Sequence, residues 1–223
     1  MGALHQVNAT YFRVTPSSGH PDDEVGFAIG AGIKLNVPMI GRGAYLQAQV
    51  NYTQGALRYI FQTPNTNWGK VQGANEGYGI LTDAIFGGTL TGLGVAAATD
   101  LQLTTAWNVN AAYEHFWNPR WRTSLYGGYA AVMYNGTATS LLNSGTTAPT
   151  PAADWSTWWL GSRTQWNVTK DFYMGLDVMY ASLFSASLPG DSLVTRVSIG
   201  GATRVSDVDN WQFRFRVHRG FYP

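Results

Sequence analysis

Cysteine is absent, which removes any disulfide framework and any thiolate metal site. Charge is scarce as well. Charged residues make up 12% of the 223 residues, about half the usual share in a soluble globular protein. The formal net charge of +1 gives a nucleic-acid role no electrostatic footing. No run of about 18 uninterrupted apolar residues occurs, so no transmembrane helix is expected. The nearest stretch, Ala84–Thr99, is broken by Gly87, Gly88, Gly92 and Gly94 and reads as loop. Met1-Gly2-Ala3-Leu4-His5 has neither the basic start nor the apolar core of a secretory signal. The four histidines (His5, His20, His115, His218) share no metal-ligand spacing, and no Ser–His pair falls together on one strand face. His20 beside Asp22, Asp23 and Glu24 reads as a solvated loop tip. No metal, no cofactor and no catalytic residues are expected.

What the chain does have is alternation. From Val25 to Val37, Val25, Phe27, Ile29, Ala31, Ile33, Leu35 and Val37 fall on one side, and Gly26, Ala28, Gly30, Gly32, Lys34 and Asn36 on the other. A period of two means a β-strand, because successive side chains leave it on opposite faces. The period recurs in Leu4–Val14, where Val7, Ala9 and Tyr11 oppose Gln6, Asn8 and Thr10, and again in Ala44–Thr53, Leu101–Tyr113, Trp121–Met133, Trp158–Val168, Phe172–Tyr180 and Trp211–His218. Eight strands result. Short turns (Pro38–Gly43, Trp117–Arg120, Thr169–Asp171) alternate with longer connections (Thr15–Asp23, Gln54–Thr99, Asn135–Asp154, Ala181–Asp209), the last holding a hairpin around Leu193–Ile199. Tight turns at one end and long loops at the other are the layout of an outer-membrane β-barrel. Aromatics near the strand ends, such as Tyr45, Trp121 and Phe172 at one and Tyr52, Trp158 and Tyr180 at the other, suit interfacial girdles.

The mean hydropathy of −0.12 does not argue against a membrane, since alternation averages to near zero. A soluble barrel would carry roughly 25–35% charge on its outer face. Here the polar face holds mostly Gly, Ala, Ser, Thr, Asn and Gln. Packing Trp, Phe and Leu from eight strands inward would also overfill so small a barrel. Turned outward, the bulky side chains are solvated by lipid while uncharged polar groups line water. The expected fold is an all-β, transmembrane, antiparallel up-and-down barrel forming a single domain over residues 1–223.

Several stretches resemble the general porins of alphaproteobacteria: Gln47-Ala48-Gln49-Val50-Asn51-Tyr52-Thr53-Gln54-Gly55-Ala56-Leu57-Arg58-Tyr59, Ala111-Ala112-Tyr113-Glu114-His115-Phe116-Trp117-Asn118-Pro119, the run from Trp158 to Tyr173, and the terminus from Asn210 to Pro223. The resemblance implies a sixteen-stranded homotrimeric barrel, integral to the bacterial outer membrane, through which ions and small hydrophilic solutes diffuse passively. Those porins are about twice as long, so the chain is expected to be their C-terminal half or a shortened member, its eight strands part of the larger barrel. The alternative is a small eight-stranded anchor or adhesion barrel acting through its external loops. A third reading, an outer-membrane hydrolase, finds no supporting residues.

A pore needs a wet lumen and a field across it rather than a catalyst. By parity Lys34, Gln49, Asn51, Asn108, Arg163, Gln165, Asp177, Arg214 and Arg216 are the expected lining. Arg122, Glu114 and His218 share that parity, and Arg122, Arg214, Arg216 and Glu114 are placed near the rim, with Lys34, Arg163 and Asp177 nearer mid-strand. Arg58, Lys70, Glu76 and Asp83 are the loop charges expected near the pore. Counted in family order, their loop would be the sixth external one, whereas the constricting loop is usually the third. The loop is therefore expected to cap the mouth or meet a neighbouring subunit. No partner other than outer-membrane lipid, permeating solutes and copies of the chain is expected.

Overall fold

The computed structural model describes residues 1–12, 19–61, 71–72, 75–77, 79–87, 89–91, 94–96, 98–142, 153–186, 193–196 and 201–221. Its frame is one sheet of eight strands: β1 (Gly2–Val7), β2 (Glu24–Asn36), β3 (Tyr45–Gln54), β4 (Thr105–Phe116), β5 (Trp121–Met133), β6 (Trp155–Asn167), β7 (Phe172–Phe184) and β8 (Val208–Arg219). Each strand pairs antiparallel with the next in sequence, so the sheet is a meander from β1 to β8. It is open: β1 and β8 each have one unpaired edge among the described residues. Short strands lie in the long connections, including an antiparallel pair, Leu193–Arg196 with Gly201–Val205, where the sequence suggests a hairpin. No helix among the described residues is long and apolar enough to cross a membrane, which says nothing about crossing by strands.

The three tight turns close on local hydrogen bonds. Asn118 accepts at Oδ1 from the backbone N–H of Arg120 (2.9 Å) and of Trp121 (3.0 Å), an Asx turn that folds the chain back at once. Gly43, with φ of 82°, takes the left-handed conformation that the β2–β3 turn requires and a side chain resists.

Three expectations are corrected. The strand read as Leu101–Tyr113 runs from Thr105 to Phe116, and Gln102–Leu103 pairs instead with Ala84–Ile85, inside the stretch read as loop. β1 ends at Val7 rather than Val14, and its faces are reversed. Gln6 stands opposite Val25 and Leu4 opposite Phe27, so both share the apolar face, while Val7 turns to the other side and is buried. Within Asn135–Asp154, read from sequence as loop, residues Gly136–Leu142 form a helix, α1. Asn135 caps it, accepting at Oδ1 from the N–H of Ala138 (2.8 Å), which satisfies one of the donors a helix start leaves orphaned.

The two faces of the sheet invert the usual arrangement. Leu125, Leu160 and Leu176 are 52%, 52% and 53% exposed although their strands are paired on both sides. Ile29, Ile33, Val50 and Phe213 on the same face are exposed too. Opposite them Asn51, Asn108, Glu114, Ser124, Thr157 and Gln165 are buried. In a water-soluble protein the polar set would be the exposed one. Leaving a large apolar side chain in water forgoes about 1.5–3 kcal/mol, so Trp211, Phe213, Phe215 and Val217 of β8 alone represent roughly 6–12 kcal/mol. That is comparable to a whole domain's net stability, so this face is not built to be left in water.

A buried apolar cluster does exist, and it lies on the polar face at the long-loop end. There Ala106, Val132, Trp155, Leu183 and Val208 from β4 to β8 meet Leu57, Leu81, Tyr134, Ala138 and Ala186 from the connections, with Ile60, Phe61 and Ile80 packed against them. Trp155 Nε1 (3.1 Å) and Tyr134 Oη (2.6 Å) both donate to the carbonyl of Ile80. The β3–β4 connection is thereby pinned across the wall.

Candidate functional site: the polar face of the sheet

Register places the polar side chains in levels that run across the strands. One level passes from Tyr45 through Glu114, Ser124, Arg163 and Asp177 to Arg214. Next to it, toward the tight turns, lie Phe116, Arg122, Gln165, Gly175 and Arg216. Above it, toward the long loops, a third level holds Gly32, Gln49, Asn110, Gly128, Trp159, Ala181 and Asn210. Asn51 and Asn108 form the level beyond that, with Gly30 and Ala130.

Glu114 organises the charges. Its carboxylate accepts from Ser124 Oγ, faces Arg122 Nε at 3.3 Å and lies 3.9 Å from Arg163 Nη2. The Arg122–Glu114 contact is an ion pair without hydrogen-bond alignment, since neither atom of that contact has a hydrogen-bond partner. Arg122 also donates from Nη2 to Gln165 Oε1 (2.8 Å), and Gln165 donates onward to Asn167 Oδ1 (2.8 Å). One buried carboxylate thus holds two guanidiniums against the wall, the arrangement that makes burial of a charge tolerable.

Asp177 stands in register between Arg163 and Arg214 yet forms its hydrogen bond elsewhere, accepting from Tyr126 Oη. The tyrosine reaches it by lying across Gly161, where an added Cβ would sit 2.5 Å from the ring. Asn51 accepts from Gln49 Nε2 (2.9 Å) and donates to Asn108 Oδ1 (2.8 Å). Lys34 is exposed, its Nζ 4.1 Å from the centre of the Tyr45 ring, a cation–π contact. Arg214 and Arg216 are exposed on the edge strand β8 and make no ion pair with described residues.

All nine residues expected from parity therefore lie on one face, and hydrogen bonds and ion pairs that parity cannot reveal engage Gln49, Asn51, Asn108, Arg163, Gln165 and Asp177. The split between rim and mid-strand charges does not hold: Glu114, Arg163, Asp177 and Arg214 share one level. Of the loop charges, Arg58 is exposed in a short 3-10 helix, Leu57–Tyr59. Asp83 is committed to the loop, accepting at Oδ1 from the N–H of Leu57 (2.7 Å) and facing His5 Nε2 at 3.5 Å. Lys70 and the side chain of Glu76 lie outside the described residues. Ser124 and Tyr126 were legible only as polar-face residues; their partnership with Glu114 and Asp177 depends on cross-strand register.

Among the described residues no group of three His, Asp or Glu side chains is arranged to hold a metal ion. The arrangement offers instead a face of fixed charges and amides, backed by an apolar one. Membrane channel barrels have walls of this two-faced kind. The sequence matches the porin subfamily over residues 2–203, and the chain belongs to that family, one of channel proteins rather than enzymes. β8 lies beyond the matched residues. No curated protein and no solved structure matches the chain.

Proposed function

We propose that the protein forms a water-filled channel of the bacterial outer membrane for passive diffusion of ions and small hydrophilic solutes. The observation that carries this is the inversion of faces: large apolar side chains uncovered across the sheet, buried amides and paired charges behind them. In a barrel wall the first set meets lipid and the second meets water. The sheet's two open edges support closure with further strands, because lipid cannot hydrogen-bond a bare edge. In this reading Lys34, Gln49, Asn51, Asn108, Arg163, Gln165, Asp177, Arg214 and Arg216 face the lumen, and the assembly is a homotrimer. The Glu114–Arg122–Arg163 cluster supplies fixed charge that sets ion preference.

Reconstitution in a planar bilayer tests this. Stepwise conductance is expected, and Arg163→Glu, which sets a second carboxylate beside Glu114, should move the reversal potential in a salt gradient toward cation preference. Folded protein that never conducts would sink the reading.

A further inference from the structure

One level of the polar face carries a residue that ion passage does not use. Trp159 projects from β6 on the side of the amides and charges rather than toward the apolar face. Its six-membered ring lies over Gly128, where an added Cβ would meet Cζ2 at 2.4 Å and Asn110 Oδ1 at 2.5 Å. Two cavities flank it. One, of about 510 Å³, is lined by Lys34, Gln47, Gln49, Asn110 and Tyr126; the other, of about 540 Å³, by Thr157, Asn210 and Gln212 below Ile60 and Phe61. Both fall within the size range of small-ligand sites, roughly 300–1,000 Å³.

Trp159 Nε1 and the side-chain amides of Gln47, Asn110 and Gln212 make no hydrogen bond to described residues, in contrast to Glu114 two levels away, which accepts from Ser124 and faces two guanidiniums. An amide donates and accepts at once, as does a sugar hydroxyl, and an aromatic ring packs against the apolar C–H face of a pyranose. An inorganic ion has no use for the indole, and an apolar solute has none for three open amides. We propose that Trp159, with Gln47 and Asn110 on one side and Gln212 on the other, forms a wall subsite for a neutral oligosaccharide of two or three pyranose units. The proposal rests on the channel reading and adds a solute class to it.

The probe is maltotriose, added to single channels in a planar bilayer. Saturable reduction of current is expected, whereas a polyethylene glycol of matched size should reduce current only in proportion to concentration. Trp159→Ala should raise the half-blocking concentration roughly tenfold, as for loss of one aromatic platform, while leaving the channel open; Trp159→Phe should restore part of it and Asn110→Ala should weaken block on its own. A linear response to maltotriose, or the same half-blocking concentration in conducting Trp159→Ala, overturns the subsite and leaves the channel intact. Should folded protein fail to conduct, the channel reading is lost. Equilibrium dialysis of labelled maltotriose against protein in micelles then decides the subsite alone: binding lost in Trp159→Ala upholds it, and no binding overturns it.

Discussion

The two ends of the polar face solve opposite problems with the same strands. At the long-loop end its side chains turn apolar (Ala130 then Val132 on β5, Ala181 then Leu183 on β7), and Val132 and Leu183 are buried with residues of the β3–β4 connection and α1. At the tight-turn end, Phe116 aside, they stay polar, and Glu114 draws Arg122 and Arg163 together with no covering loop among the described residues. Alternation says only which face a residue joins. What lies over that face decides whether it should be greasy or wet, so one strand changes character along its length. The covered end is a small soluble-style core; the other end is a polar face of paired charges and amides.

The comparison can be broken most forcefully at Trp155. Trp155→Ala empties the cluster and removes a donor to Ile80, and should cost about 3–5 kcal/mol of unfolding free energy, read by denaturant titration of the refolded protein. A loss under 1 kcal/mol would mean that the cluster does not hold the loops. On the opposite face Ile29→Arg should cost about 2–4 kcal/mol in lipid, whereas Gln49→Arg on the polar face should cost far less; equal penalties would show that the faces do not differ in solvent. At the wet end, Glu114→Gln releases two guanidiniums from their carboxylate, and the reversal potential should move toward anions, opposite to Arg163→Glu. An unchanged potential would relegate the cluster to wall structure. The smallest effect is expected at α1: Asn135→Ala removes the cap and should cost about 1 kcal/mol, visible as faster hydrogen exchange at Ala138.

Much of the frame was legible because a strand with one wholly apolar face cannot hide its period. Trp121–Met133 is bounded in the structure as in the sequence, and the sorting of side chains onto two faces holds from β2 to β8, except for Leu101 and Leu103, which fall outside β4. β1 failed for a physical reason. Its six residues carry too few side chains to fix parity, and reading on to Ala9 and Tyr11 counted residues beyond the strand. The buried cluster was invisible because Trp155 falls outside the run read as strand, and because Val132 is inward-facing yet apolar. A parity list that turned from Gly128 to Ala130 to Val132 was the available signal. The hydrogen bonds of Asp177 could not be anticipated either, since its in-register arginines lose to a tyrosine that crosses a glycine from the next strand but one.

The bare edges of β1 and β8 bear on how such a wall reaches its place. β8 runs for twelve residues, so about half of its N–H and C=O groups point to a side with no strand among the described residues. In hydrocarbon each uncompensated group costs several kcal/mol, which sums to tens across one margin. On the channel reading proposed above, the meander is barred from entering lipid as a half-finished ribbon, and its margins are zipped or chaperoned before the greasy face is committed. Biogenesis, on this view, is governed by the seam more than by the surface.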